Sequence, residues 1–135
     1  MKKGYYVFDP VIYPRKLYVM IGQTQETANK LFRLNGSDET IKMEKTDVGK
    51  AYSEVATIRG NWVGALLLFG SKASMSASVI AHEASHACDF IEDAIGMEHG
   101  DEASAYLIGW IVKCVDEARK GKGEFVELKK TDDRA

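Results

Sequence analysis

Two of the three histidines in this 135-residue chain lie four positions apart, at His82 and His86, with Glu83 between them. The segment His82-Glu83-Ala84-Ser85-His86 spells H-E-x-x-H, and its residue types are compatible with a helix. On an α-helix, residues i and i+4 lie about 40° apart around the axis and about 6 Å apart along it. Two imidazoles so placed can bind one metal ion, and the glutamate can reach a water molecule on that ion. The spacing therefore predicts zinc-dependent hydrolysis with Glu83 as the general base.

The residues on either side of this segment favour the same interpretation. Val79-Ile80-Ala81 precede it and Ala87-Cys88 follow it, and none of them is charged, proline or glycine. Such flanks are typical of a helix that lies buried beneath a cleft. The alternative is a plain core helix without metal, in which the two imidazoles find other partners or solvent.

A catalytic zinc site usually has three protein ligands and an open position, so a third ligand is needed. The sequence predicts that the motif helix ends at Gly96 and that Asp101 caps a second helix beginning at Glu102. A short connection folds the second helix back against the first, so we predict Glu102 as the third ligand. An acid at this position is also favourable through the helix dipole alone. The other candidates for this ligand are Glu92, Glu98, His99 and Asp101.

Composition narrows the classes of function. The chain is 45% hydrophobic and 28% charged with a net charge of −2, which is typical of one globular domain, assigned to residues 1–135. No basic patch stands out, which argues against nucleic acid as the main partner. Neither a signal peptide nor an apolar run long enough to cross a membrane is present, so a cytoplasmic setting is expected. Cys88 and Cys114 are predicted to be buried free thiols.

The hydrophobic periodicity predicts an α+β fold, with a small mixed or antiparallel sheet packed on the motif helix and on a second, C-terminal helix. A surface loop is expected over 37–50, and Gly60-Asn61 is expected to form a two-residue turn. The charged tail to Ala135 is expected to fray. The predicted strands cover 5–8, 17–21, 52–59, 63–69 and 125–128, and the predicted helices cover 25–34, 73–95 and 102–120.

Taken together, these residues resemble the gluzincins, the metallopeptidases with H-E-x-x-H on one helix and a glutamate on the next. The match covers residues 79–88 together with Glu102-Ala103, which is similar to the Glu-Ala pair of thermolysin-like enzymes. In size the chain is similar to small single-domain zincins of the ImmA/IrrE type, which regulate phage or mobile-element genes by proteolysis. The resemblance implies a zincin-like fold, Zn²⁺ as cofactor and a peptide or protein substrate. It also implies that strand 52–59 rims the cleft, where a peptide can add as an extra strand.

Other zinc-dependent families fit the sequence less well. Metzincins need a glycine three residues after the second histidine, where this chain has Asp89. Peptide deformylases take their third ligand from an upstream cysteine, whereas both cysteines here follow His82. The alternative function is a zincin-like module that binds metal or a regulatory partner without turnover.

Overall fold

The computed structural model describes residues 2–44 and 46–130 and has an α+β architecture. A single mixed sheet carries two long helices on one face and a short helix on the other. The elements in chain order are β1 Gly4–Phe8, β2 Lys16–Ile21, α1 Gln25–Leu31, β3 Phe32–Leu34, β4 Gly49–Thr57, β5 Val63–Phe69, α2 Ala77–Ala94, α3 Glu102–Arg119 and β6 Glu124–Glu127.

The sheet has the strand order β3-β4-β5-β2-β1-β6. β2 runs parallel to β5, and the other neighbouring pairs are antiparallel. This arrangement confirms the predicted α+β fold class with a mixed sheet. Neither α2 nor α3, the longest helices in the described part of the chain, has the length and apolar character that a membrane crossing requires.

Successive side chains of the central strands point to opposite faces of the sheet and so form two separate hydrophobic cores. Leu17 and Val19 of β2 lie in the cluster that packs against α2 and α3, whereas Tyr18 and Met20 point to the opposite face and pack with α1. The first core holds Cys88 and Cys114 as buried free thiols, as predicted.

The motif helix α2 is fixed by its cap and by its apolar stripe. Ser76 accepts a hydrogen bond from the backbone N–H of Val79, which is an N-cap interaction. Four apolar residues on one face of α2 are buried against the sheet and α3, which places His82 and His86 on the exposed side of the helix. The buried members are Ile80, Ala84, Ala87 and Ile91.

Two predicted helix boundaries are wrong. The first helix ends at Leu31, not at residue 34, because Phe32 is extended and pairs with Thr57 of β4. The Phe32 ring packs against Tyr5 and Tyr18, with centroids 4.7 and 5.0 Å away, so core packing overrides local helix propensity. The motif helix begins at Ala77, not at residue 73, because the chain after β5 first forms turns.

The loops also differ from the sequence prediction. The β4–β5 connection spans 58–62, with Gly60 and Asn61 both at positive φ, and is longer than the predicted two-residue turn. Within the predicted surface loop, Ile41 is fully buried in the core on the α1 face, and its backbone N–H and carbonyl bond to the Asn29 side chain. Residues 131–135 of the predicted frayed tail lie outside the described residues.

Candidate metal centre

His82 and His86 point the same way from the exposed side of α2. Their Nε2 atoms lie 3.3 Å apart, and their rings meet at an interplanar angle of 79°. Two imidazole nitrogens bound to one tetrahedral zinc ion at its usual bond length are about 3.3–3.4 Å apart. The pair therefore has the separation that a shared zinc ion requires. The same distance also suits a hydrogen bond between two neutral rings of complementary tautomers.

Glu83 supplies a carboxylate beside the two rings, and it is buried although the histidines are exposed. Only 6% of the residue is accessible, and its carboxylate lies within 4.8 Å of the ring nitrogens of both histidines. No hydrogen bond reaches this carboxylate from the described residues, so its oxygens remain available to a water molecule at the centre.

The burial of Glu83 depends on Gly49, the first residue of β4. A Cβ atom on Gly49 would lie 2.9 Å from Cγ of Glu83 and 3.0 Å from Oε2, which is closer than real Cβ contacts allow. The missing side chain therefore creates the space that holds the carboxylate beneath the strand. This residue was not among the predicted site residues, and no local signal could identify it, because the contact joins distant parts of the chain.

The same end of β4 is open along one edge. β3 pairs with Val55, Ala56 and Thr57, so among the described strands the segment from Gly49 to Tyr52 pairs with β5 alone. An irregularity at residues 53–54 ends this edge, where the Glu54 carbonyl accepts a hydrogen bond from the Asn35 N–H. Ala51 packs against the core cluster of α2, which places the small residues of this segment over the motif helix. The arrangement leaves an extended edge beside Glu83.

Glu102 lies at the first position of α3, as predicted, and is exposed. Asp101 caps the helix by accepting a hydrogen bond from the Ser104 N–H. The described residues contain two groups of three ligand-type side chains within 4.8 Å of one another, and Glu102 belongs to neither. The structure thus brings His82, Glu83 and His86 together, and the third ligand remains a prediction.

The second group consists of Asp89, Glu92 and His99. The Glu92 side chain is completely buried and accepts hydrogen bonds from the Ser104 hydroxyl at 2.5 Å and from the Cys88 thiol at 3.3 Å. Nδ1 of His99 lies 3.1 Å from Glu92 and 3.4 Å from Asp89. These contacts join α2, α3 and the connection between them, so we interpret the group as a structural network.

The titration behaviour of this network follows from its contacts. Burial raises the pKa of Glu92, but hydrogen bonds from Ser104, His99 and Cys88 outweigh burial and hold it below its ordinary value. Hydrogen bonds to Glu92 and Asp93 raise the pKa of His99. Burial, reinforced by Glu92, raises the pKa of the Cys88 thiol to about 12, so this cysteine is not a reactive thiolate.

The network also bears on the alternatives for the third ligand. Glu92 and His99 are bonded to each other and to Ser104 and Asp93, and Asp101 is the helix cap. Three of the four alternatives therefore have other partners, whereas the Glu102 side chain forms no hydrogen bond or ion pair with any described residue.

No protein-family model, curated protein or solved structure matches this chain. The functional interpretation therefore depends on the side chains of the centre and on the elements that position them.

Proposed function

We propose that this chain is a zinc-dependent peptidase in which His82, His86 and Glu102 hold the metal and Glu83 is the general base. The observation that carries the proposal is the 3.3 Å separation of the two Nε2 atoms, which matches two ligands of one zinc ion. The neighbouring Glu83 is 6% exposed, and its carboxylate receives no hydrogen bond from the described residues, which supplies the second requirement of this chemistry.

When bound, zinc supplies a Lewis acid that polarises a carbonyl and lowers the pKa of water. Glu83 accepts the proton of the attacking water and delivers it to the leaving amine. Its side chain packs against the backbone of Gly49 in β4, and this packing limits the positions that the carboxylate can adopt. The carboxylate is therefore oriented before substrate binds, which reduces the entropy lost in the reaction.

The open edge of β4 supports a peptide as the substrate class. An extended peptide can pair with an unpaired strand edge through backbone hydrogen bonds. Along the segment from Gly49 to Tyr52 such a peptide lies beside Glu83, so a peptide carbonyl can approach the carboxylate and the two imidazoles.

The experiment that tests the proposal is the substitution Glu83→Gln. The amide keeps the shape of the side chain but cannot accept the proton, so cleavage of a quenched fluorescent peptide library should fall by about 10²–10⁴-fold. Zinc content, measured by elemental analysis of untagged protein, should stay at one ion per chain. Glu124→Gln, an exposed change on β6, is the matched control and should leave cleavage unchanged. Full cleavage by Glu83→Gln contradicts the assignment.

The second candidate function is a metal-binding or regulatory module without turnover. It is favoured by the position of Glu102, which does not join the two histidines in one group of ligand-type side chains. A module of this kind binds zinc and depends on His82 and His86, yet cleaves no member of the peptide library. Zinc binding without cleavage by the unmodified chain would therefore select this function.

A further inference from the structure

A crevice opens where the two parallel strands end, on a different part of the molecule from the histidines. β2 and β5 are the one parallel pair among the described strands, and their last residues, Ile21 and Phe69, lie side by side. From β2 the chain passes to α1 on one face of the sheet, and from β5 it passes to α2 on the other. Connections that diverge in this way leave a crevice at the carboxyl ends of the strands, which is where open α/β sheets bind ligands.

A cavity of about 760 Å³ occupies this position. The loops that follow the two strands form one wall, with Gly22 after β2 and Gly70, Ser71 and Lys72 after β5. A hydrogen bond of 2.9 Å from Gly22 N–H to the Phe69 carbonyl joins the two loops. The end of α3 forms another wall. We call this the parallel-strand cavity, and its size falls within the range of small-molecule and cofactor sites.

The charged residues that line the parallel-strand cavity are all basic. Lys2, Lys72, Arg119 and Lys120 line it, and no acidic residue is among its described lining, although the chain as a whole has a net charge of −2. Asp116 balances part of this charge, since it pairs with Arg119 at 2.7 Å and with Lys120 at 2.8 Å. Neither Lys2 nor Lys72 forms an ion pair with any described residue, so two cations remain for an anionic ligand.

The rest of the lining is apolar and aromatic. The rings of Tyr6 and Phe125 are 5.0 Å apart in an edge-to-face arrangement, and both line the cavity together with Ile21. Partly exposed rings of this kind can stack on a planar ligand group. A ligand that satisfies both parts of the lining therefore carries an anionic group and a planar ring.

We propose that the parallel-strand cavity binds a nucleotide-sized anion in which one or two phosphate groups are joined to a planar ring. The phosphates contact Lys2 and Lys72 beside the glycine-containing loops, and the ring packs on Tyr6 and Phe125. His82 and His86 do not line this cavity, so the site is independent of the proposed peptidase function.

The test is a calorimetric titration of the full chain with adenosine diphosphate, with adenosine and inorganic pyrophosphate as separate arms. EDTA in the buffer keeps the nucleotide from binding through a metal at the histidines. The protein used for this titration is prepared without an N-terminal tag, because Lys2 lines the cavity. We expect the diphosphate to bind with a Kd below about 1 mM at about 50 mM salt, at least tenfold more tightly than either fragment.

The matched variants are Lys72→Glu and Lys113→Glu, which change the net charge equally. Lys72 lines the cavity, whereas Lys113 is exposed on α3 outside it. We expect Lys72→Glu to weaken binding by about tenfold or more, as for loss of a charged hydrogen bond, and Lys113→Glu to change it by less than about twofold. Lys2→Glu repeats the test at a second position, and circular dichroism checks the folding of each variant.

Three results would overturn the proposal. The first is no binding of adenosine diphosphate below about 1 mM. The second is equal affinity for pyrophosphate and the nucleotide, which would show that Tyr6 and Phe125 do not contribute to binding. The third is affinity that neither Lys72→Glu nor Lys2→Glu reduces. None of these outcomes depends on zinc or on hydrolysis.

Discussion

At the scale of single residues, the proposed chemistry depends on how a carboxylate stays in place beside two exposed imidazoles. Glu83 has no hydrogen bond from the described residues, so its position is set by packing under β4. Gly49 is the contact that decides this packing, because any side chain there would meet Cγ and the carboxylate of Glu83. A residue that does no chemistry thus controls the orientation of the proposed base.

Gly49→Ala should therefore lower activity without removing the metal. The new methyl group would lie 2.9 Å from Cγ of Glu83, so the carboxylate must move. We expect kcat/KM for a cleaved library peptide to fall by about tenfold or more, while zinc stoichiometry stays at one because His82 and His86 are not displaced. Activity and elemental analysis of the same preparation measure both effects.

The matched change is Gly109→Ala in α3, where no heavy atom lies within 4 Å of a new Cβ. Replacing a helical glycine by alanine should raise the free energy of unfolding by about 0.5–1 kcal/mol and leave activity unchanged. If Gly49→Ala cleaves as well as the unmodified chain, packing against β4 does not position Glu83.

At the scale of elements, the network of Asp89, Glu92, Asp93, His99 and Ser104 holds α2, α3 and their connection together. The connection is short, and the network gives a buried carboxylate three hydrogen-bond donors. Glu102, the predicted third ligand, is the first residue of α3, so this network also fixes its position. The stability of the joint between the helices should therefore depend on pH.

The sign of this dependence follows from the two pKa shifts. The pKa of His99 is raised from 6.5, so its contribution to stability is complete below that value and is lost as pH rises through the folded pKa. The pKa of Glu92 is lowered from 4.5, so its contribution is present above that value and is lost as pH falls. The network is therefore strongest between these two values.

His99→Gln should remove most of this pH dependence. We expect it to lower the free energy of unfolding more at about pH 5.5 than at about pH 8.5, where the unmodified imidazole is increasingly neutral. Urea unfolding at the two pH values measures the difference. Glu98→Gln changes an exposed neighbour, and any decrease that it causes in the free energy of unfolding should be the same at both pH values. If His99→Gln also lowers the free energy of unfolding equally at both values, the charge of His99 does not contribute to stability.

At the scale of the whole molecule, a zinc ion that binds only the folded chain must stabilise it. With free zinc at 100 times its Kd the gain is about 2.7 kcal/mol, which for a domain of this size raises Tm by roughly 10 °C. The double variant His82→Ala and His86→Ala should show no such rise, and EDTA should reverse the rise in the unmodified chain. Thermal unfolding with and without zinc measures the effect.

Thermal unfolding with and without zinc also tests whether Glu102 is the third ligand. Glu102→Ala should reduce the zinc-dependent rise in Tm, because removing one of three ligands weakens zinc binding. Glu98→Ala should leave the rise unchanged. A rise that Glu102→Ala does not affect would exclude Glu102 and leave the other candidates for the third ligand, which are Glu92, Glu98, His99 and Asp101.

Much of the fold could be predicted from hydrophobic periodicity and capping residues in the sequence. The strand over 63–69 matches β5, Asp101 caps α3 as predicted, and the α+β class is confirmed. These features depend on periodicity and capping within a few residues. The prediction failed at Phe32, where a strand partner and two aromatic rings from other elements decide the conformation.

By itself, the sequence determined the spacing of His82, Glu83 and His86, because a helix converts positions four apart into neighbours. The tertiary structure alone decided that Gly49 packs on Glu83 and that Glu92 is buried in a network with Ser104. It also formed the parallel-strand cavity, whose lysines and arginine come from distant parts of the sequence. The physical reason is that helix geometry acts between near neighbours, whereas burial and charge clustering depend on which distant segments the sheet brings together.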